Sequence, residues 1–258
     1  MAQEHGKFVW YELMTSDMAA AEAFYKKVVG WDAADAGMEG MTYTLFSADG
    51  RPVAGSMDLP DTARDMGVPP MWLGYIAVSD VDATAADIVT AGGVIHRPAA
   101  DIPNIGRFAI VGDPQGAAFA LFKAKPGEQP PPPVAPQTAG HVGWHELYAG
   151  DGETAFAFYS KMFGWEKHRD MDMGAMGVYR IFGRDGVDTG GMMTKPPGMP
   201  AAAWTFYFNV PAIDAAGERV KAAGGQVLNG PMEVPGGQWI IQCLDPQGAM
   251  FALVAPGR

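Results

Sequence analysis

Aromatic and β-branched positions crowd residues 8–14 and predict a short strand, after which Asp17 is placed to cap an alanine-rich helix over about 18–29. The stripe Ala21, Phe24, Tyr25 and Val28 recurs at helical spacing and marks the buried face, and Gly30 supplies the stop. Residues 43–47 and 52–57 read as two strands joined by a hairpin turn at Asp49-Gly50. The pattern then restarts with a strand over 72–78, a helix over about 81–91 capped by Asp80 or Asp82 and ended by Gly92-Gly93, and short strands near 94–97, 106–111 and 117–123. DPQG at 113–116 sets Pro second and Gly fourth in a tight turn between the last two strands.

The whole pattern occurs twice. WYEL at 10–13 returns as WHEL at 144–147, and Asp17/Asp151, Phe24/Phe158, Tyr25/Tyr159 and Trp31/Trp165 keep the same offset of 134 residues. Tyr43/Tyr179 and Gly55/Gly191 match at an offset of 136, and Trp72/Trp204, Tyr75/Tyr207 and the two DPQG turns at 132. The register drifts only where loops are expected. A period this long makes each copy a whole domain. Between them, KPGEQPPPPVAPQTAG reads as an extended proline tether. The expected division is 1–124, a linker at 125–140, and 141–258. Helices are expected at about 152–163 and 214–223 in the second copy.

Composition narrows the function. Of 258 residues, 48% are hydrophobic, enough for two cores, with no apolar run of membrane-spanning length and no signal-like amino terminus, so a cytoplasmic protein is expected. A net charge of −11 with no basic stripe argues against nucleic acid, and the lone Cys243 excludes an internal disulfide and a thiolate cluster. His141 and His145 imitate ligand spacing, but on a strand they stand roughly 13 Å apart, too far for one ion. His5, His96 and His168 read as isolated, exposed or loop-borne. Arg107 could meet an anionic ligand or form a surface salt bridge.

The order βαβββ twice per copy, the closing DPQG hairpin and the strand-Asp-helix-FY-Gly-Trp run resemble the vicinal oxygen chelate superfamily of glyoxalases, bleomycin-resistance proteins and extradiol dioxygenases. The resemblance covers everything but the tether. It implies an α+β fold of tandem glyoxalase-like domains, each a cup-shaped mixed sheet of two βαβββ modules with helices outside. It also implies where a metal would be held, and there the chain departs from the pattern. The first-strand histidine falls on Trp10 and Trp144, the last-strand glutamate on Ala120 and Ala252, the first-module acidic position near Gly55-Ser56 and Gly191-Met192, and the second-module histidine on Leu73 and Thr205. None of these offers the donor set of a divalent-ion site. No metal and no cofactor are therefore expected.

Alternation along the strands sends Trp10, Glu12 and Met14, and likewise Trp144, Glu146 and Tyr148, to the cup face, with Tyr75 and Tyr207 joining them from the second modules. A carboxylate beside aromatic rings could serve a ligand as base or acceptor; it could equally bind a tyrosine hydroxyl or backbone amides and hold the sheet. Methionines at 38, 41, 57, 171, 173, 176, 192 and 193 suit an adaptable apolar wall or ordinary core filling. Loops at 34–41 and 168–178 could fold over the cups as lids or equally serve as passive connectors.

The expected function is metal-independent binding of a small apolar or aromatic molecule by Trp10, Glu12, Tyr75, Trp144, Glu146 and Tyr207. The alternative is a metal-dependent lyase or dioxygenase with substitute ligands, and whether any reaction is catalysed stays open. Expected partners are a small-molecule ligand, with no nucleic acid and no membrane, in a monomer or homodimer.

Overall fold

A computed structural model describes residues 4–38, 40–127 and 131–258. The first half runs β1 (Phe8–Thr15), α1 (Met18–Val28), β2 (Asp32–Asp35), β3 (Thr44–Ala48), β4 (Arg51–Asp58), α2 (Asp61–Asp65), β5 (Met71–Ala77), α3 (Val81–Thr90), β6 (Val94–Ile102), β7 (Gly106–Gly112) and β8 (Ala118–Ala124). The second runs β9 (Val142–Ala149), α4 (Gly152–Phe163), β10 (Glu166–Asp172), β11 (Val178–Arg184), β12 (Val187–Thr194), β13 (Ala203–Asn209), α5 (Ile213–Ala222), β14 (Gln226–Val234), β15 (Gln238–Leu244) and β16 (Met250–Ala255). Two mixed eight-stranded sheets result, ordered β2-β3-β4-β1-β5-β8-β7-β6 and β10-β11-β12-β9-β13-β16-β15-β14. The α+β architecture read from the sequence is the one observed. No helix among the described residues is long and apolar enough to cross a membrane.

Local chemistry places these elements. Asp17, Asp80 and Asp151 cap α1, α3 and α4 by accepting from the amides of Ala20, Ala83 and Thr154. The buried residues of α1 are the four of the predicted stripe. Asp49-Gly50 and Asp185-Gly186 both carry positive φ at each central position, the geometry a two-residue hairpin needs to match strand twist.

The edge strands β2 and β10 are absent from the sequence reading, which gave part of their span to lids. β2 combines two aspartates with two alanines and β10 is mostly charged, and both are mostly exposed, so no periodic burial marks them; they exist because β3 and β11 offer an open ladder. The expected lid at 168–178 is thus strand to Asp172, followed by a single 3-10 turn at Gly174–Met176. The lid expected at 34–41 includes Glu39, and the tether at 125–140 includes residues 128–130; these positions lie outside the described residues.

Grouped by proximity, the chain forms two compact units: residues 1–10, 74–132 and 144–204, and residues 11–73, 133–143 and 205–258. Each combines the first module of one copy with the second module of the other, and each has a buried polar chain at its centre. In the first unit Trp204 donates to the Tyr159 hydroxyl (3.0 Å), which donates to Asp113 Oδ2 (3.0 Å). In the second Trp72 donates to Tyr25 (2.8 Å) and Tyr25 to Asp245 Oδ2 (3.1 Å). The other oxygen of each aspartate closes its own turn, accepting from Gln115 and Ala117 or from Gln247 and Ala249. The DPQG motif is therefore both a turn and the anchor for a tyrosine far away in sequence. Burial raises the pKa of both aspartates, against which these hydrogen bonds work. Trp165 and Trp31 likewise bond the backbone carbonyls of Gly6 and Gly140, each within its own unit.

Candidate functional site

On β9, Leu147 is fully buried, and Trp144 and Glu146 lie on the opposite face of the strand. Glu146 is 6% exposed and stands opposite Gly191 of β12. Tyr179 of β11 fills the space over that glycine: a Cβ at Gly191 would overlap the ring's Cε1, Cζ and hydroxyl. The phenol accepts from Trp144 Nε1 (2.9 Å) and donates to the Glu146 carboxylate. Burial and the neighbouring Glu146 charge hold the Tyr179 pKa well above its usual value, so it remains a proton donor. Trp144 and Glu146, both assigned to the site from the sequence, are thus joined through a tyrosine that was not assigned to it.

The first copy repeats the frame. Glu12, also 6% exposed, pairs in register with Gly55, and Tyr43 lies over Gly55 in the same relation. Trp10 is half-buried on the same face of β1. Tyr43 and Tyr179 were visible as matched residues, and so were the two glycines, but only strand pairing reveals that each tyrosine needs its glycine.

The second modules hold Tyr75 and Tyr207 in separate sets. Tyr207 lies in register with Ala252, and Ala252 with Gln242, whose amide donates to the Tyr207 hydroxyl (2.9 Å); Asn229 donates to Gln242 at 3.4 Å. At the matching places of the first copy the row is Tyr75, Ala120 and Ile110, and Tyr75 packs against Phe108 and Phe122, each with ring centroids 6.3 Å away. One row is polar and the other aromatic. Thr205, at the place of Leu73, is fully buried, and its hydroxyl has no hydrogen-bond partner among the described residues.

Among the described residues no three His, Cys, Asp or Glu side chains converge as a metal site would require. His168 is not isolated: it sits on β10 with Nδ1 2.7 Å from Asp188. Arg107 pairs with Asp82 and Asp101 at the surface, and Cys243 is buried, its thiol pushed up to about 12. Of the methionines, Met192 is fully buried while Met176 is 59% exposed, so that cluster does not form one wall.

His145 stacks on Phe8 at 4.2 Å, with Nδ1 2.7 Å from the Thr189 carbonyl. Burial lowers its pKa to about 4. A histidine depressed on folding contributes stability above its unfolded value near 6.5 and loses it as pH falls through the folded value. Between pH 6.5 and 4 the chain should lose on the order of 2 kcal/mol that His145→Gln does not lose, read from denaturant melts across that range. Parallel pH profiles for the two proteins would refute this.

The sequence matches the family model described as Glyoxalase/Bleomycin resistance protein/Dioxygenase superfamily over residues 7–121 and again over 138–253. It is 35% identical over 250 residues to "Putative glyoxylase CFP32" of Mycobacterium tuberculosis, covering 96% of this chain and 94% of that protein. It is also 35% identical over 269 residues to "Anthracycline biosynthesis protein DauV" of Streptomyces sp. strain C5, covering 96% and 93%. Among solved structures, the Mn(II)-bound glyoxalase from Novosphingobium aromaticivorans shares the fold with a TM-score of 0.66 at 17% identity, over 98% of this chain and 83% of that one. The 2,3-dioxygenase LapB from Pseudomonas sp. KL28 does so at 0.64 and 15%, over 99% and 94%.

Proposed function

Because this chain belongs to the glyoxalase/bleomycin resistance/dioxygenase superfamily, we propose that it binds a small apolar or aromatic molecule on the inner face of one or both sheets without a resident metal. The observation carrying this reading is the Trp144–Tyr179–Glu146 chain. At the position where the resemblance implies a first-strand histidine stands an indole whose single N–H is committed to Tyr179. Indole has no lone pair for a cation, Ala120 and Ala252 have none either, and Gly55 and Gly191 are covered by tyrosine rings. The residues present do not fit the metal that the family implies.

In this reading Trp10, Tyr75, Trp144 and Tyr207 supply ring surface, and Glu12 and Glu146 orient the ligand, with Tyr179 fixing the Glu146 carboxylate. Apolar walls with a few placed polar groups are the usual composition of a small-molecule site. The relatives' names, a putative glyoxylase and an anthracycline biosynthesis protein, do not name one shared reaction, and one fold can carry several chemistries.

The test uses the purified full chain and 2-naphthol. Tryptophan emission should be quenched with the same midpoint before and after EDTA treatment, Trp144→Ala should weaken the response several-fold, and elemental analysis should find divalent metal far below one per chain. A near-stoichiometric ion whose removal abolishes binding would instead favour the metal-dependent lyase or dioxygenase with substitute ligands.

A further inference from the structure

The aromatic row of the first copy carries a cation that meets no carboxylate among the described residues. Arg97 lies on β6 with its guanidinium 4.7 Å from the centre of the Phe108 ring. Register ties it to the row already described: Arg97 pairs with Ile110, Ile110 with Ala120, and Ala120 with Tyr75. The ladder is irregular on both sides of Arg97, the kind of bulge that re-aims a side chain. Phe108 and Phe122 face each other across β7 and β8 beside it.

The other arginines differ. Arg107, Arg169, Arg180, Arg184 and Arg258 meet carboxylates, Arg64 and Arg219 bond backbone carbonyls, and Arg51 is also engaged. Among the described residues Arg97 alone is held only by a ring, in a chain of net charge −11 where carboxylates are plentiful. Its guanidinium carbon lies over the Phe108 ring, and its N–H fork meets no acceptor among the described residues. A planar fork of this kind matches a carboxylate in bidentate fashion. In the second copy the corresponding positions are Asn229, Ile240 and Val254, with neither cation nor ring.

We propose that the β5–β8 module recognises an aromatic carboxylate, Arg97 gripping the carboxylate and the Tyr75, Phe108 and Phe122 cluster receiving the ring. This rests on the small-molecule reading above and gives it a ligand class and a preferred copy. The expected selectivity is for the anion over its uncharged isostere, since loss of a charge-assisted bidentate contact is felt by the acid alone.

Titration calorimetry on the full chain with 2-naphthoate and 2-naphthamide decides it. The acid should bind at least tenfold more tightly than the amide, and the preference should shrink in high salt. Arg97→Gln should abolish the preference, Arg97→Lys should keep part of it, and Arg169→Gln, with the same change in net charge, should keep it whole. An acid preference that survives Arg97→Gln, or that is missing from the parent protein, overturns the proposal. If the amide binds without any acid preference, only this proposal fails; if neither compound binds, the small-molecule reading falls with it.

Discussion

Replacing Asp113 with alanine is expected to cost about 3–5 kcal/mol, because a single 2%-exposed carboxylate satisfies three buried or turn-forming donors at once. Without it the amides of Gln115 and Ala117 lose their acceptor, and the Tyr159 hydroxyl, which receives the Trp204 N–H, has nowhere to place its proton. Asp113→Asn separates charge from geometry. Its carbonyl can keep both turn amides, while its NH₂ meets a tyrosine oxygen already accepting from Trp204, so one contact is lost and the cost should be about 1–2 kcal/mol. Urea melts of the two variants test the ranking. Equal costs would mean that the carboxylate contributes through its charge rather than through the donors it collects.

Gly191→Ala should be nearly as damaging, at about 2–4 kcal/mol, although alanine fits the strand backbone as well as or better than glycine does. The new methyl would occupy the space of the Tyr179 ring tip, forcing the half-buried tyrosine to swing away. That move strands Glu146 and the Trp144 N–H together, adding unsatisfied polar groups to the cost of overpacking. A double-mutant cycle distinguishes this from a backbone effect. In a Tyr179→Ala background the second substitution should cost less than about 1 kcal/mol, because the space is then open. If Gly191→Ala costs the same in both backgrounds, the ring contact is not its cause. The repeat adds a control, since Gly55 and Tyr43 should behave alike.

Both results concern residues whose importance is only half visible in a one-dimensional reading. The matched offsets exposed Tyr25/Tyr159 and the DPQG turns as retained features, and the turn chemistry of Pro and Gly predicted the hairpins. That the aspartate of one copy's turn receives the tyrosine of the other copy's helix is a contact over 46 residues in one case and 220 in the other, and no local pattern encodes it. The strands β2 and β10 went unseen for a related reason. Their side chains are polar on both faces, and what makes them strands is an unfilled edge supplied by a neighbour.

The candidate site divides the same way. In the sequence alone, alternation along β1 and β9 sets Trp10 with Glu12, and Trp144 with Glu146, on one face of each strand, because a pleated strand permits no other arrangement of neighbours. The same rule assigned Tyr75 and Tyr207 to that face. It could not supply their partners. Tyr179, Gln242, Phe108 and Arg97 come from other strands, and which of them stands opposite which depends on register and bulges.

Periodicity, capping aspartates, turn residues and duplication were therefore enough for the fold class and for which residues of each opening strand share a face, since these follow from interactions between near neighbours in the chain. The buried Trp–Tyr–Asp chains, the tyrosines laid over glycines and the contact of Arg97 with the Phe108 ring arose only on folding, because each depends on atoms brought together from distant segments by sheet pairing and helix packing.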